Sequence, residues 1–207
     1  PDGAVTLYVG RDNWPFPAPI IKTDGMWSFD AEAAREEVLM RRIGGHELAV
    51  IEIMERVGAI QASYRRTDHD GDGVMEFAAS ILSSPGKRDG LFWPEEPGGQ
   101  PSPFNGDFAR ANFFGFSEDG TDIEPEPFEG YYFRILQGQG EAAPGGAYSY
   151  MIGSNMVAGH AYGDTGIMSF MVGEDGVVLE ADLGEDTLAR ALEIELYDPG
   201  EGWVPVE

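Results

Sequence analysis

Short apolar runs alternate along the chain with stretches punctuated by glycine and proline, and the spacing inside each run sets the element expected there. Ala4-Val-Thr-Leu-Tyr-Val9 reads as a strand. Asn13–Pro19 carries three prolines, whose missing N–H donors exclude a ladder strand and leave an extended edge segment. Ile20–Lys22 and Met26–Phe29 flank Thr23-Asp-Gly25, a hairpin signal. Asp30 then caps a helix predicted over Ala31–Ile43, with acids in its first turn and Arg41 and Arg42 in its last. Gly44-Gly45 is expected to stop it. A second helix is predicted from His46 to Arg66, where Val50, Ile53, Val57, Ile60 and Tyr64 recur at spacings of three and four. Leu48, Ile51 and Met54 widen that stripe, and Glu47, Glu52 and Glu55 fall to its wet side. At ~1.5 Å per residue the helix is about 30 Å long, enough to be the main packing partner of a sheet.

An acidic loop follows, Asp68–Glu76, then a short helix is expected to about Leu82, ended by Ser83-Ser-Pro-Gly86. Residues 87–129 read as a long acidic loop pinned by Leu91-Phe-Trp93, Phe104, Phe113, Phe114 and Phe116. The last third reads as a β-meander. Its strands are Tyr131–Leu136, Tyr148–Ile152, Met156–Tyr162, Gly166–Val172 and Val177–Ala181, the last entered through a Glu174-Asp-Gly176 turn. A final short helix starts at Glu185-Asp-Thr187. The expected class is α+β, a long amphipathic helix on an antiparallel meander. Residues 1–43 form an N-terminal hairpin region with its helix, and 44–207 form the body.

Composition narrows the function. The 207 residues carry 37 acids against 13 bases, a net charge of −24, and no cysteine. Duplex nucleic acid and anionic membrane surfaces are disfavoured partners for such a surface. Thiol chemistry and cysteine-ligated zinc are excluded. No apolar run approaches the ~18 residues of a membrane span. The charge is uneven: residues 1–66 hold ten acids and eight bases, net −2, and residues 67–207 hold 27 acids and five bases, net −22. Two surfaces with different tasks are implied, the acidic one suited to cations or a basic partner.

The sharpest chemical signal is Asp68-His-Asp-Gly-Asp-Gly73. It puts acids at positions 1, 3 and 5 of an EF-hand-type loop and glycine at position 6. Ca²⁺ wants six to eight oxygens, and Asp68, Asp70, Asp72, the Val74 carbonyl and Glu76 are the candidate ligands. Position 12, where such loops carry a chelating Glu, is Ala79. Without a cation the same acids repel each other, or form a helix-capping turn. His69, at an even position of the loop, is expected to face solvent. His46-Glu47 begins like a zincin helix but has Val50 where the second His belongs, so His46 reads as a surface or capping residue. His160, in a predicted strand near Ser154, lacks the Gly-x-Ser-x-Gly context of a nucleophile elbow. Gly138-Gln-Gly140 lacks the third glycine of a dinucleotide fingerprint, and Ser84-Pro-Gly-Lys87 lacks phosphate-loop spacing. Trp14, Trp93 and Trp203 are either core residues or platforms for a sugar or a partner.

Taken together, Leu7-Tyr-Val-Gly-Arg-Asp-Asn-Trp-Pro-Phe-Pro17, Glu37–Gly44, Asp70–Phe77, Ser83–Pro94, Tyr131–Leu136, Ala143–Tyr148, Gly166–Val172 and Asp175–Gly184 resemble, in order, an exported bacterial family known as domain of unknown function 2950. That resemblance implies a periplasmic or extracellular protein with a cleaved signal and a further N-terminal segment, and it carries no catalytic residue. More weakly, Gly130-Tyr-Tyr-Phe133, Thr165–Val172 and Asp175-Gly-Val177 resemble the sheet of pilin-like and pseudopilin-like domains, at the level of fold. The expectation is a non-catalytic, exported structural or interaction module with a Ca²⁺-stabilised loop and a protein partner in the cell envelope. The alternatives are a carboxylate-dependent hydrolase of envelope glycans and an accessory subunit of a larger envelope assembly.

Overall fold

In the computed structural model the described residues are 3–69, 71–95, 97–104, 106, 109, 111, 126–141, 143, the backbone of 150–155, 162–173 and 175–206. The class is α+β, and the chain divides into two compact units, residues 1–45 and 46–207.

In the first unit, β1 (Tyr8–Val9) pairs with β2 (Trp14–Pro15), so the proline segment does join a ladder, but for two residues only. The strand expected over Ala4–Val9 shrinks to β1 and a bridge from Val5 to Ile20. β3 (Ile20–Thr23) and β4 (Met26–Phe29) form the expected hairpin. Its two turn residues, Asp24 and Gly25, sit at φ 52° and 83°, the left-handed pair a two-residue turn demands.

The helix α1 runs unbroken over Ala31–Tyr64, which corrects the two helices expected around Gly44-Gly45. Asp30 caps it as expected, one carboxylate oxygen accepting from the N–H groups of Glu32 and Ala33 at 3.1 Å each. A glycine stops a helix by turning left-handed, and neither Gly44 nor Gly45 has a positive φ. The stripe of buried side chains explains why. Ile43, Val50, Met54, Val57, Gln61 and Tyr64 stay in helical phase across the pair. Their burial outweighs the ~1 kcal/mol that each mid-helix glycine costs.

In the second unit a short helix was expected before Leu82; the structure has β5 (Ser80–Leu82), which pairs in parallel with β6 (Gly90–Phe92). Ile81 and Leu91 are buried in this pair, so two short apolar runs find cover as strands where one helical turn would bury fewer side chains. A five-stranded antiparallel sheet follows in the order β11-β10-β9-β8-β7, built from β7 (Tyr131–Leu136), β8 (Tyr150–Asn155), β9 (Met168–Val172), β10 (Val178–Asp182) and β11 (Val204–Pro205). The strand expected over Met156–Tyr162 lies outside the described residues except for Tyr162, which bridges Gly166. Helix α2 (Thr187–Glu193) is the expected C-terminal helix.

Period-two alternation sorts side chains to opposite faces of the sheet. Tyr131, Phe133, Phe170 and Val172 join Val50, Met54, Val57 and Tyr64 of α1. Leu136 and Met171 belong to a second cluster with Tyr197, and Tyr132 packs beside a third made of Ala181, Leu183 and Ala191 of α2. Gly130 allows the entry to β7. Its φ is +82°, and an added Cβ would lie 2.5 Å from the Thr165 side chain.

Candidate functional site

The acidic loop leaves the end of α1 and closes on Asp68. One Asp68 carboxylate oxygen accepts from the N–H of Gly71 at 2.7 Å, the other from the N–H of Gly73 at 3.0 Å. Asp72 accepts from Val74 N–H at 2.7 Å. Gly71 and Gly73, both at positive φ, make this tight winding accessible. Of the five candidate metal ligands, Asp68 is half-buried, and Asp72, Val74 and Glu76 are exposed; Asp70 lies outside the described residues. Among the described residues, no three His, Asp or Glu side chains gather closely enough to hold a metal ion. The loop therefore offers a wound backbone with carboxylates at its rim.

His69 does not face solvent as expected. Its ring stacks on Tyr64 at 4.1 Å between centroids and lies 5.7 Å from Trp93, and Nε2 is 3.1 Å from the Tyr64 carbonyl. An aromatic ring gains more against Tyr64 and Trp93 than in water, and it pulls the start of the loop onto the core. Trp93 is itself buried and donates to the Gln100 carbonyl at 2.9 Å. Beyond the loop, the fully buried Gln61 carboxamide pairs with Ala78 in both directions, accepting at 2.9 Å and donating at 3.0 Å. Hydrophobicity gives no hint of Gln61, but its position on the α1 stripe does. The Asp68–Phe77 segment is thus held at both ends by side chains from α1 or next to it.

A second polar cluster corrects the assignment of Glu47 to the wet side of the helix. Its Oε1 accepts from the N–H groups of Ile167 at 2.8 Å and Met168 at 2.9 Å, and from the Tyr131 hydroxyl at 3.4 Å. Tyr131 also donates to the Met168 carbonyl at 3.0 Å. Burial, then the Glu47 charge and hydrogen bond, push the Tyr131 hydroxyl well above the ordinary phenol value. The neighbouring His46 lies 2.9 Å from the Thr165 carbonyl and 3.3 Å from the Glu129 carboxylate. These contacts fix the start of β9 to α1.

Two clefts remain. One, of about 470 Å³, is lined by Ile53, Phe104 and Phe128 with Glu52, Arg56 and Glu95. The other, of about 430 Å³, lies between the β5 region and Arg134, Ile135 and Gln137, with Glu195. Of the tryptophans, Trp14 is exposed under the Arg41 guanidinium at 4.8 Å, Trp93 is core and Trp203 is half-buried. Gly138 and Gly140 admit a close backbone approach: Tyr197 N–H donates to Gly138 O at 2.8 Å, and Gly140 N–H to Tyr197 O at 2.9 Å. His160 lies outside the described residues, and of Ser154 only the backbone is described. Among the described residues no helix is long and apolar enough to cross a membrane.

Neither a curated protein nor a solved structure matches the chain. A family model matches nearly its whole length, residues 1–206, and the chain therefore belongs to the family described as protein of unknown function DUF2950.

Proposed function

We propose that the chain is a non-catalytic, exported interaction module whose Asp68 loop takes up Ca²⁺, with a pilin-like plan for the second unit and a protein partner in the cell envelope. The observation that carries this reading is the Asp68 carboxylate holding the N–H groups of both Gly71 and Gly73. That winding gives an acid-rich turn the curvature a Ca²⁺ loop requires, with Asp70, Asp72, the Val74 carbonyl and Glu76 as the remaining ligands. Ala79 replaces the chelating Glu, so a modest affinity of the extracellular class is expected. The test is the melting temperature of chelator-stripped protein titrated with Ca²⁺. A site filled to ~100 times its dissociation constant adds about 2.7 kcal/mol of stability. The rise should vanish in Asp72→Ala. No shift at millimolar Ca²⁺ reduces the loop to a structural turn.

A second reading rests on the cleft that brings Glu52 and Glu95 together beside Phe104 and Phe128. Two carboxylates beside aromatic walls suit a glycan hydrolase. Turnover of cell-wall glycan that disappears in Glu95→Gln would put this reading in place of the first.

A further inference from the structure

We propose that the first unit is a self-association surface, on which two copies of the chain pair antiparallel along the outer edge of β4. The inference stands on residues 1–45 and does not depend on the Asp68 loop.

The unit exposes an unusual share of its apolar side chains. Among its described residues Ile43 is the one buried large hydrophobic, whereas Tyr8, Trp14, Phe16, Met26, Trp27 and Phe29 are exposed. Two-stranded sheets of this size bury too little to stand without cover. The rings form a continuous row: Trp14 lies 6.4 Å from Phe16, Phe16 lies 5.8 Å from Phe29, and Trp27 shares a sheet face with Phe29.

Charge selects the occupant. Residues 1–45 carry seven acids and five bases, net −2, and residues 46–207 carry 30 acids and eight bases, net −22. A second copy approaching through its own first unit meets almost no net charge, while any contact between two bodies is repulsive.

The strand edge fits a copy of itself. β4 has β3 on one side and no strand on the other among the described residues. The two-residue turn makes Thr23 and Met26 a hydrogen-bonded pair, and Asp30 N–H donates to Pro19 O at 2.9 Å. By alternation the backbone N–H and C=O of Trp27 and Phe29 point to the open edge. A two-fold axis at Ser28 sets Trp27 opposite Phe29 of the other copy, twice, so four backbone hydrogen bonds form with the intervening pair unbonded. Four half-exposed rings offer about 400 Å² per copy. That is below the roughly 800 Å² per partner of stable complexes, so the dimer is reversible.

The experiment is sedimentation velocity on the full chain over a range of concentrations, at low and high sodium chloride. The expected result is a species of twice the 22.5 kDa chain mass that grows with concentration. It tightens with salt as the repulsion between bodies is screened. Trp27→Lys and Trp27→Pro both leave the β3 ladder intact, the first placing a charge on the edge and the second removing an outward donor. Each should raise the dimer dissociation constant roughly tenfold or more. Leu192→Lys on α2 should leave it unchanged. A chain that stays monomeric throughout overturns the proposal. So does a dimer that survives both β4 variants, one that weakens with salt, or a monomer that co-sediments with phosphatidylcholine vesicles.

Discussion

Glu47 and Gln61 are polar side chains that α1 carries inward, and both serve backbone groups of distant segments. Glu47 holds the N–H groups of Ile167 and Met168, and Gln61 brackets Ala78. A buried donor left unpaired costs about 1–3 kcal/mol, more than its pairing contributes. Tyr131, which shares the Glu47 carboxylate, gives this cluster a pH signature. Its hydroxyl stays protonated in the folded protein well above the pH at which an unfolded tyrosine ionises, near 10. Above that pH the folded state binds the extra proton, so stability is complete below pH 10 and falls as pH rises, by up to about 1.4 kcal/mol per pH unit. In Tyr131→Phe that loss is absent. The stability gap between the variant and the parent should therefore narrow above pH 10 in urea melts, and a gap independent of pH would contradict the assignment. Neither inward polar residue is legible from hydrophobicity. Both are legible from phase, since Glu47 and Gln61 fall on the same stripe as Val50, Met54, Val57 and Tyr64.

At the scale of the element, the hairpin from β3 to β4, the Asp30 cap and the strands β7 and β10 follow from local chemistry, and the sequence reading places them within a residue or two. Where tertiary burial decides, local signals mislead. Gly44-Gly45 carries the chemistry of a helix stop, yet the stripe continues through it. The run before Leu82 has helical composition, but only a strand lets Ile81 meet Leu91. The helix makes its own test. Both glycines have helical backbone angles, and a Cβ added at either meets nothing within 4 Å. Gly44→Ala and Gly45→Ala should each stabilise the protein by about 0.5–1 kcal/mol in urea melts. Destabilisation would mean that one of them takes a left-handed conformation and that the helix ends there.

Across the whole molecule the charge division is the plainest property of the sequence, and it bears on both proposals: a strongly acidic body suits cation uptake, and a nearly neutral N-terminal unit suits contact with a copy. The candidate site was legible as a pattern of acids and glycines. What the pattern could not convey is that the Asp68 carboxylate spends both oxygens on the loop's own backbone, or that His69 turns inward to Tyr64 and Trp93. Those outcomes depend on which residues the distant α1 and Trp93 bring alongside. The sheet pairs each strand with its neighbour in sequence, so its contacts close loops far shorter than the one the Glu47 bonds span, and they can form early. The Glu47 bonds to Ile167 and Met168 span 120 and 121 residues. Closing so long a loop is entropically costly, and these bonds should be absent from the folding transition state. Glu47→Gln should then leave the refolding arm of a chevron nearly unchanged and raise the unfolding rates along the other arm. A single glutamate would set the lifetime of the folded chain and leave the speed of its formation to the hairpins.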